Sequence, residues 1–315
     1  MKVLVTGGAG FIGSHLVAYY LSQNALVWCV DNLLTGRPEN LAEYRSSQNL
    51  RFLEKDVTSL SIEKLPNDFN LVFHLASPAS PVDYQRYPLE TMRVNSLGTE
   101  KMLRLALKCE ARFLYSSTSE VYGDPEIPVQ PETYWGRVNP VGPRSVYDEA
   151  KRYGEAITML FHRYWKANTA IARIFNTYGP GMKPDDGRVI PNFINQLLTG
   201  KPLTVYGDGQ QTRSLCYIDD LVEGIVLLAK SDEHQPVNLG NPEEFTILQL
   251  VAEIEKIAKM PVSIEYRPLP EDDPKRRKPD ISRAKQLLGW EPKVSLKVGL
   301  SKTLDYFQSQ IHLKK

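Results

Sequence analysis

Two kinds of hydrophobic pattern alternate along the first half of the chain. Lys2–Thr6 (KVLVT) and Leu26–Val30 (LVWCV) are short and mostly apolar. Strands covered on both faces look like this, because neither side meets water. Arg51–Glu54, Leu71–Leu75, Arg112–Tyr115 and Ala170–Phe175 predict further strands of the same kind. Between them run longer stretches of helical character, one of them over residues 88–108 with Asn95 inside it. Strands alternating with helices predict an α/β fold of the Rossmann type, a doubly wound parallel sheet with helices on both faces.

After Gly179 the alternation fades and Pro, Gly and charged residues become more frequent. Asp185–Arg188, Leu203–Tyr206, Gln210–Arg213 and Asp272–Asp280 read as a lobe rich in loops. Leu215–Lys230 reads as one more strand–helix unit. The expected division is a dinucleotide-binding domain over residues 1–177 and a smaller α/β substrate-binding lobe over 178–315. A segment near 214–236 is expected to return to the first domain.

Gly7, Gly10 and Gly13 follow the first strand and open the first helix. At this spacing the first glycine permits the turn and the second lets the backbone approach a pyrophosphate. The third lets helix and strand pack closely, so that helix N–H groups meet the anion. Phe11 and Ile12 complete the loop. The second strand ends in Asp31-Asn32. An acid there suits the ribose hydroxyls of adenosine and repels the extra phosphate of NADP, so NAD is the expected cofactor. Thr35, Gly36, Asp56, Val57, Leu75 and Ser77 lie near later strand ends and are expected at the same site. Ala76–Pro81, with two prolines, predicts a rigid loop beside it. His74 lies inside a strand pattern and reads as a core residue.

The fifth strand leads into Ser116–Gly123, a cluster of hydroxyls with one carboxylate. A long Pro- and Gly-containing connection, Asp124–Arg144, follows, and loops of that length are more often functional than idle. Tyr147 and Lys151 then share one face of a helix. Such a pair is common by chance. It gains meaning from its place, one helix after the strand that carries the hydroxyls.

Composition narrows the class. With 315 residues, 42% hydrophobic and 24% charged, the chain suits a globular enzyme of two lobes. A net charge of +1 gives no reason to expect a nucleic-acid partner. Cys29, Cys109 and Cys216 lack metal-ligand spacing and read as thiols in a reducing compartment, with no metal expected. No apolar run approaches the roughly 18 residues of a membrane span, and a strand from residue 2 does not read as a signal peptide. A cytoplasmic protein without a membrane partner is expected.

Thr6–Gly13 (TGGAGFIG) and Tyr147-x-x-x-Lys151 resemble the extended short-chain dehydrogenase/reductase superfamily. Further stretches resemble, more narrowly, the UDP-glucuronate decarboxylase (UDP-xylose synthase) family. They are Ala76–Pro81, Thr118–Pro125, Tyr134–Gly136 with Asn139-Pro140, Gly142–Arg144, Asp185–Arg188, Asn238–Pro242 and Arg277–Asp280. Two positions depart from that family: Ala150 stands where glycine is expected, and Gly181 where arginine is frequent.

The resemblance implies oxidation of UDP-glucuronate at C4, loss of carbon dioxide at C5, and re-reduction at C4 by the same bound NAD. It implies Tyr147 as the base, with its phenolate favoured by the Lys151 ammonium and the positive nicotinamide ring together. Lys151 also holds the nicotinamide ribose, and Thr118 orients the C4 oxygen. Glu120 is expected near the C5 carboxylate, where repulsion relieved by departing carbon dioxide would help. Ser119 replaces the first acid of the pair that 4,6-dehydratases carry. Arg213 is expected to hold the substrate carboxylate or protonate C5 through water. Arg188 and Arg277 are expected to clamp the diphosphate, with Pro78, Asn176 and Tyr206 as further substrate contacts. A homodimer through residues 88–108 and 148–165 is implied as well. The nearest alternative is a sugar-nucleotide 4-epimerase or 4,6-dehydratase of the same fold. The alternative of another class is a non-catalytic NAD-binding protein.

Overall fold

The computed structural model describes residues 1–269 and 277–312. Of the Asp272–Asp280 stretch assigned above to the substrate lobe, residues 272–276 lie outside the described residues, among them Lys275 and Arg276.

The first half begins with β1 (Lys2–Thr6), α1 (Phe11–Ser22), β2 (Leu26–Asp31), β3 (Leu50–Glu54) and β4 (Leu71–His74). It continues with α2 (Pro81–Arg86), α3 (Pro88–Arg93), α4 (Thr99–Lys108), β5 (Arg112–Thr118), α5 (Ser145–Trp165) and β6 (Thr169–Ile174). Beyond it come β7 (Thr177–Tyr178), α6 (Val189–Leu198), β8 (Leu203–Tyr206), β9 (Thr212–Ser214), β10 (Cys216–Tyr217) and α7 (Ile218–Lys230). The last elements are β11 (Pro236–Leu239), β12 (Glu244–Thr246), α8 (Ile247–Ala258), β13 (Ile264–Arg267), α9 (Ser282–Leu288) and α10 (Leu296–His312).

The main sheet has seven strands in the order β11-β6-β5-β4-β1-β2-β3, and every neighbouring pair is parallel. The strand order reverses beside β1, and ligands of such sheets bind outside the carboxyl ends at that point. The apolar runs are explained by two-sided cover. Val5, Cys29, Phe73 and Leu114 share one apolar cluster with α1 and α7, whereas Leu4, Val30, Val72 and Phe113 join α4 on the other face. Each fully buried side chain of this size contributes about 1.5–3 kcal/mol. Shorter pairs lie outside the main sheet: β7 with β10, β8 with β13, and β9 antiparallel to β12.

Two local expectations need correction. Residues 88–108 are not one regular helix. A π-helical turn over Val94–Gly98 separates α3 from α4. Asn95 sits in that turn, wholly buried, and its amide donates to Thr91 O (2.9 Å) and Ser77 Oγ (2.8 Å). Its carbonyl accepts from Tyr115 Oη at 3.1 Å. One wider turn thus aims a helix side chain at the loop after β4. The fifth strand also runs further than its apolar part, through Ser116, Ser117 and Thr118. Its hydroxyls therefore stand on the sheet itself rather than on a loose loop.

Candidate active site

The carboxyl ends of the sheet open into a cleft of about 620 Å³. Gly7, Gly10, Phe11, Ile12, Gly13, Asp31, Asn32, Thr35, Gly36, Asp56, Val57, Leu75 and Ser77 line it on one side. Thr118, Glu120, Tyr147, Lys151, Pro78, Asn176, Arg188, Tyr206, Arg213 and Arg277 line the rest. The cleft brings together every residue expected at the site.

Gly7 has φ +71°, and a Cβ there would stand 2.7 Å from Ala76 N. A Cβ on Gly13 would run into the Gly7 carbonyl oxygen and lie 2.8 Å from Gly8 Cα. Helix α1 begins with no side-chain cap and no acid in its first turn. Its first N–H groups and the positive end of its dipole are thereby left for an anion. Asp31 is buried, and its two oxygens accept from Ala9 N–H (3.0 Å) and Leu33 N–H (2.9 Å). Burial pushes its carboxyl up, opposed by those two bonds. An ionised carboxylate has about four acceptor positions, so sites remain for ribose hydroxyls. This cradle fits a dinucleotide.

The reactive groups stand where β5 meets α5. Tyr147 and Lys151 are only 5% and 3% exposed. Lys151 Nζ donates to Ser116 O at 2.8 Å and lies 5.8 Å from the Tyr147 ring centre. Tyr147 hydrogen-bonds Thr118 and stacks on Tyr84, with ring centres 5.0 Å apart and planes within 8°. Burial pushes the Lys151 ammonium down to about 7. Burial pushes the Tyr147 phenol up, and the Thr118 bond only partly opposes it. Among the protein's own groups, burial outweighs what lowers the Tyr147 phenol. Both groups are sealed between strand and helix, and each is driven toward its neutral form.

Glu120 lies in a short turn after β5, Ser119–Tyr122, where Thr118 Oγ1 accepts from Glu120 N–H at 3.2 Å. Its Oε2 accepts from Arg144 Nη2 and from Arg277 Nη2, the latter at 3.0 Å. Arg144 also faces Asp148 at 3.6 Å. Burial works against ionisation of Glu120, but Arg277 and Arg144 outweigh it and hold the carboxyl below its ordinary range. Burial and the Glu120 charge push Asp148 up to about 7.

Arg277 is 2% exposed and also donates to Ser119 Oγ (3.4 Å) and Gly123 O (3.2 Å). Arg277, expected at the diphosphate, is ion-paired with Glu120 in this structure. Glu120, likewise, is not a bare negative charge. Arg188 pairs with Asp186, with Nη2 to Oδ2 at 2.7 Å, and Arg213 Nη1 donates to Thr212 O at 2.9 Å.

Arg144, Asp148 and Tyr84 were not assigned from the sequence. Arg144 and Asp148 are four residues apart on the helix face that carries Tyr147, a spacing that could have revealed them. Nothing in the sequence sets Tyr84 apart from the other tyrosines, of which the chain has 16 in all.

A glycine cradle at the point of strand reversal, with a Tyr–Lys helix facing a strand-end threonine, defines a dehydrogenase-like enzyme of the extended short-chain class. The chain belongs to the NAD dependent epimerase/dehydratase family, whose model matches residues 3–240. It uses NAD as its cofactor. It is 50% identical over 311 residues to UDP-glucuronic acid decarboxylase 2 of Arabidopsis thaliana, covering 99% of this chain and 69% of that protein. It is 47% identical over 310 residues to UDP-glucuronic acid decarboxylase 1 of Danio rerio, covering 98% and 73%. Among solved structures, UDP-glucose 4-epimerase of Thermotoga maritima, with UDP-glucose, superposes with a TM-score of 0.90 at 32% identity, covering 99% of this chain and 100% of that one. UDP-glucuronic acid 4-epimerase of Bacillus cereus, in complex with UDP-glucuronic acid and NAD, gives 0.88 at 30%, covering 98% and 100%.

Proposed function

We propose that this chain converts UDP-glucuronate to UDP-xylose and carbon dioxide and keeps NAD in place throughout. The observation that carries this reading is the cluster of Glu120, Arg144 and Arg277 beside the Thr118–Tyr147–Lys151 group. The near-full-length identity to proteins called UDP-glucuronic acid decarboxylases supports it.

When bound, NAD would supply the hydride chemistry at C4, as acceptor before the carboxyl group leaves and as donor afterwards. Gly7, Gly10, Gly13, Asp31 and Lys151 would hold it. Thr118 orients the C4 hydroxyl, and Tyr147 takes its proton. The positive charge of the nicotinamide would favour the phenolate that burial alone opposes. A carbonyl at C4 makes the sugar acid a β-keto acid, so the electrons left by carbon dioxide spread into an enolate. Arg277 and Arg144 hold Glu120, and Arg277 with Arg188 is proposed to meet the diphosphate. Glu120 stands near the C5 carboxylate in this reading, and loss of carbon dioxide relieves the repulsion that its two arginines leave. Glu120 is held ionised, so the proton for C5 comes through water rather than from its carboxyl. Arg213 is the proposed holder of the substrate carboxylate. Arg188, Asn176, Pro78 and Tyr206 serve the rest of the nucleotide sugar.

We also propose the division into residues 1–177 and 178–315, with a segment near 214–236 joining the first part; the packing of α7 in one apolar cluster with the strands of the main sheet supports it. A homodimer through α3–α4 and α5 is proposed from apolar side chains left in water, Leu89, Leu97, Leu160 and Trp165 among them. Among the described residues no helix is long and apolar enough to cross a membrane. A cytoplasmic location is proposed.

Incubation with UDP-glucuronate tests the reading. Carbon dioxide and UDP-xylose are expected. A 4-epimerase would release no gas and return a changed uronate, and a non-catalytic protein would return the substrate untouched.

A further inference from the structure

Arg277 is aimed at Glu120 by the peptide unit that follows it, whose C=O and N–H are both held. Ser214 Oγ donates to Arg277 O at 2.9 Å. The Lys278 N–H donates to the side-chain carbonyl of Gln130 at 2.8 Å. Gln130 is wholly buried in the long connection between β5 and α5. Its own N–H donates to Lys278 O (2.9 Å), and its carbonyl accepts from Asp280 N–H (3.0 Å). This is a one-residue parallel bridge against Pro279. The bridge uses the Lys278 carbonyl and the Asp280 N–H, so the missing N–H of Pro279 costs it nothing, and the Gln130 side chain adds a further bond at the Lys278 N–H, next to Arg277. Gln130 Nε2 donates to Ile127 O at 2.9 Å, which fixes which way the amide points.

Asn238 on β11 braces this from behind. It is wholly buried and its amide donates to Gln130 O (2.9 Å) and Asp280 O (3.0 Å). Its side-chain oxygen accepts from Tyr122 Oη at 2.8 Å, and Arg173 Nη1 donates to that same Oη at 2.9 Å. Arg173 in turn is paired in two places with Glu155 of α5, four residues beyond Lys151. The bonds run unbroken from the Tyr–Lys helix, across the sheet, to the loop that carries Arg277.

We propose that Gln130 is a positioning residue that sets the Arg277 guanidinium against Glu120, with Asn238 bracing it. The proposal rests on the decarboxylase reading and adds a part to it. Gln130 touches neither the cleft nor Glu120, so it acts only through Arg277. Glu120 is faced by Arg144, Asp148 and Tyr147 of α5, by Tyr84 of α2, and by Arg277. Of these charged partners, Arg277 is the one whose backbone Gln130 holds.

The test is Gln130→Met in the full-length enzyme, which keeps the volume and removes the amide. Turnover of UDP-glucuronate to carbon dioxide is measured against pH, together with retained NAD and the circular dichroism of the fold. Misplacing a catalytic group by about 1 Å can cost about 10²-fold, and a fall in kcat of that order is expected, with KM changed far less. The acid limb of the profile is expected to move to higher pH, because a Glu120 with one guanidinium displaced holds its proton more tightly. A folded, NAD-loaded Gln130→Met enzyme with the parent's kcat and acid limb would overturn the proposal. Should that variant fail to fold, Ser214→Ala removes the other bond to the same peptide unit, the one to Arg277 O. A smaller fall with the same upward shift is expected, and an unmoved limb would overturn the proposal. A parent enzyme that forms no carbon dioxide would instead strike at the decarboxylase reading.

Discussion

Replacing Glu120 by glutamine keeps the shape of the side chain and deletes its charge. Two guanidiniums then face a neutral amide. Arg144 still has Asp148 at 3.6 Å, but Arg277, 2% exposed, loses the carboxylate it meets at 3.0 Å. A pair at that separation attracts by about 5 kcal/mol at an effective dielectric near 20, before desolvation is subtracted. Stranding one member of a buried pair costs about 3–5 kcal/mol. The 18% exposure of Glu120 and the bonds Arg277 keeps to Ser119 and Gly123 place the expected loss near the lower end. Arg277→Met in the same background removes the stranded charge. The two changes together should therefore cost about 2 kcal/mol less than their sum. Urea unfolding of the ligand-free parent, both single variants and the double variant at pH 7 measures this directly. Additivity within about 0.5 kcal/mol would refute the coupling.

Gly13→Ala should strip NAD from the purified protein, because the new methyl meets the Gly7 carbonyl; cofactor released on denaturation is the measure. Lys151→Met should abolish turnover yet stabilise the ligand-free protein at pH 6. The folded lysine is pushed down to about 7 while the unfolded one stays near 10.4, so the unfolded chain binds the extra proton between those values and stability rises with pH. The gain from Lys151→Met should shrink across that window, and thermal unfolding at pH 6 and pH 9.5 would show it. Leu97→Glu with Leu160→Glu should give monomers in sedimentation, since both side chains are largely in water in the single chain.

The sheet was legible because its strands are covered on both faces and leave unbroken apolar runs. Gly7 and Gly13 were legible because a Cβ at either would run into backbone. The turn at Asn95 was not, since a π turn and a regular helix present the same periodicity over one turn. The pairing of Glu120 with Arg277 joins side chains far apart in sequence, and nothing local marks it. Spacing places Lys151 beside Tyr147, but the burial that lowers its proton affinity has no local sequence mark. Arg144 and Asp148 lay within reach of a spacing argument that stopped at the Tyr–Lys pair.

Deuterium at C4 of UDP-glucuronate provides the most direct measurement. The enzyme as purified, with no NAD added, should form one carbon dioxide per UDP-xylose and leave the label on C4 of the product. Label lost to solvent, product that needs added NAD in equal amount, or a C4-inverted uronate formed without gas would contradict the account.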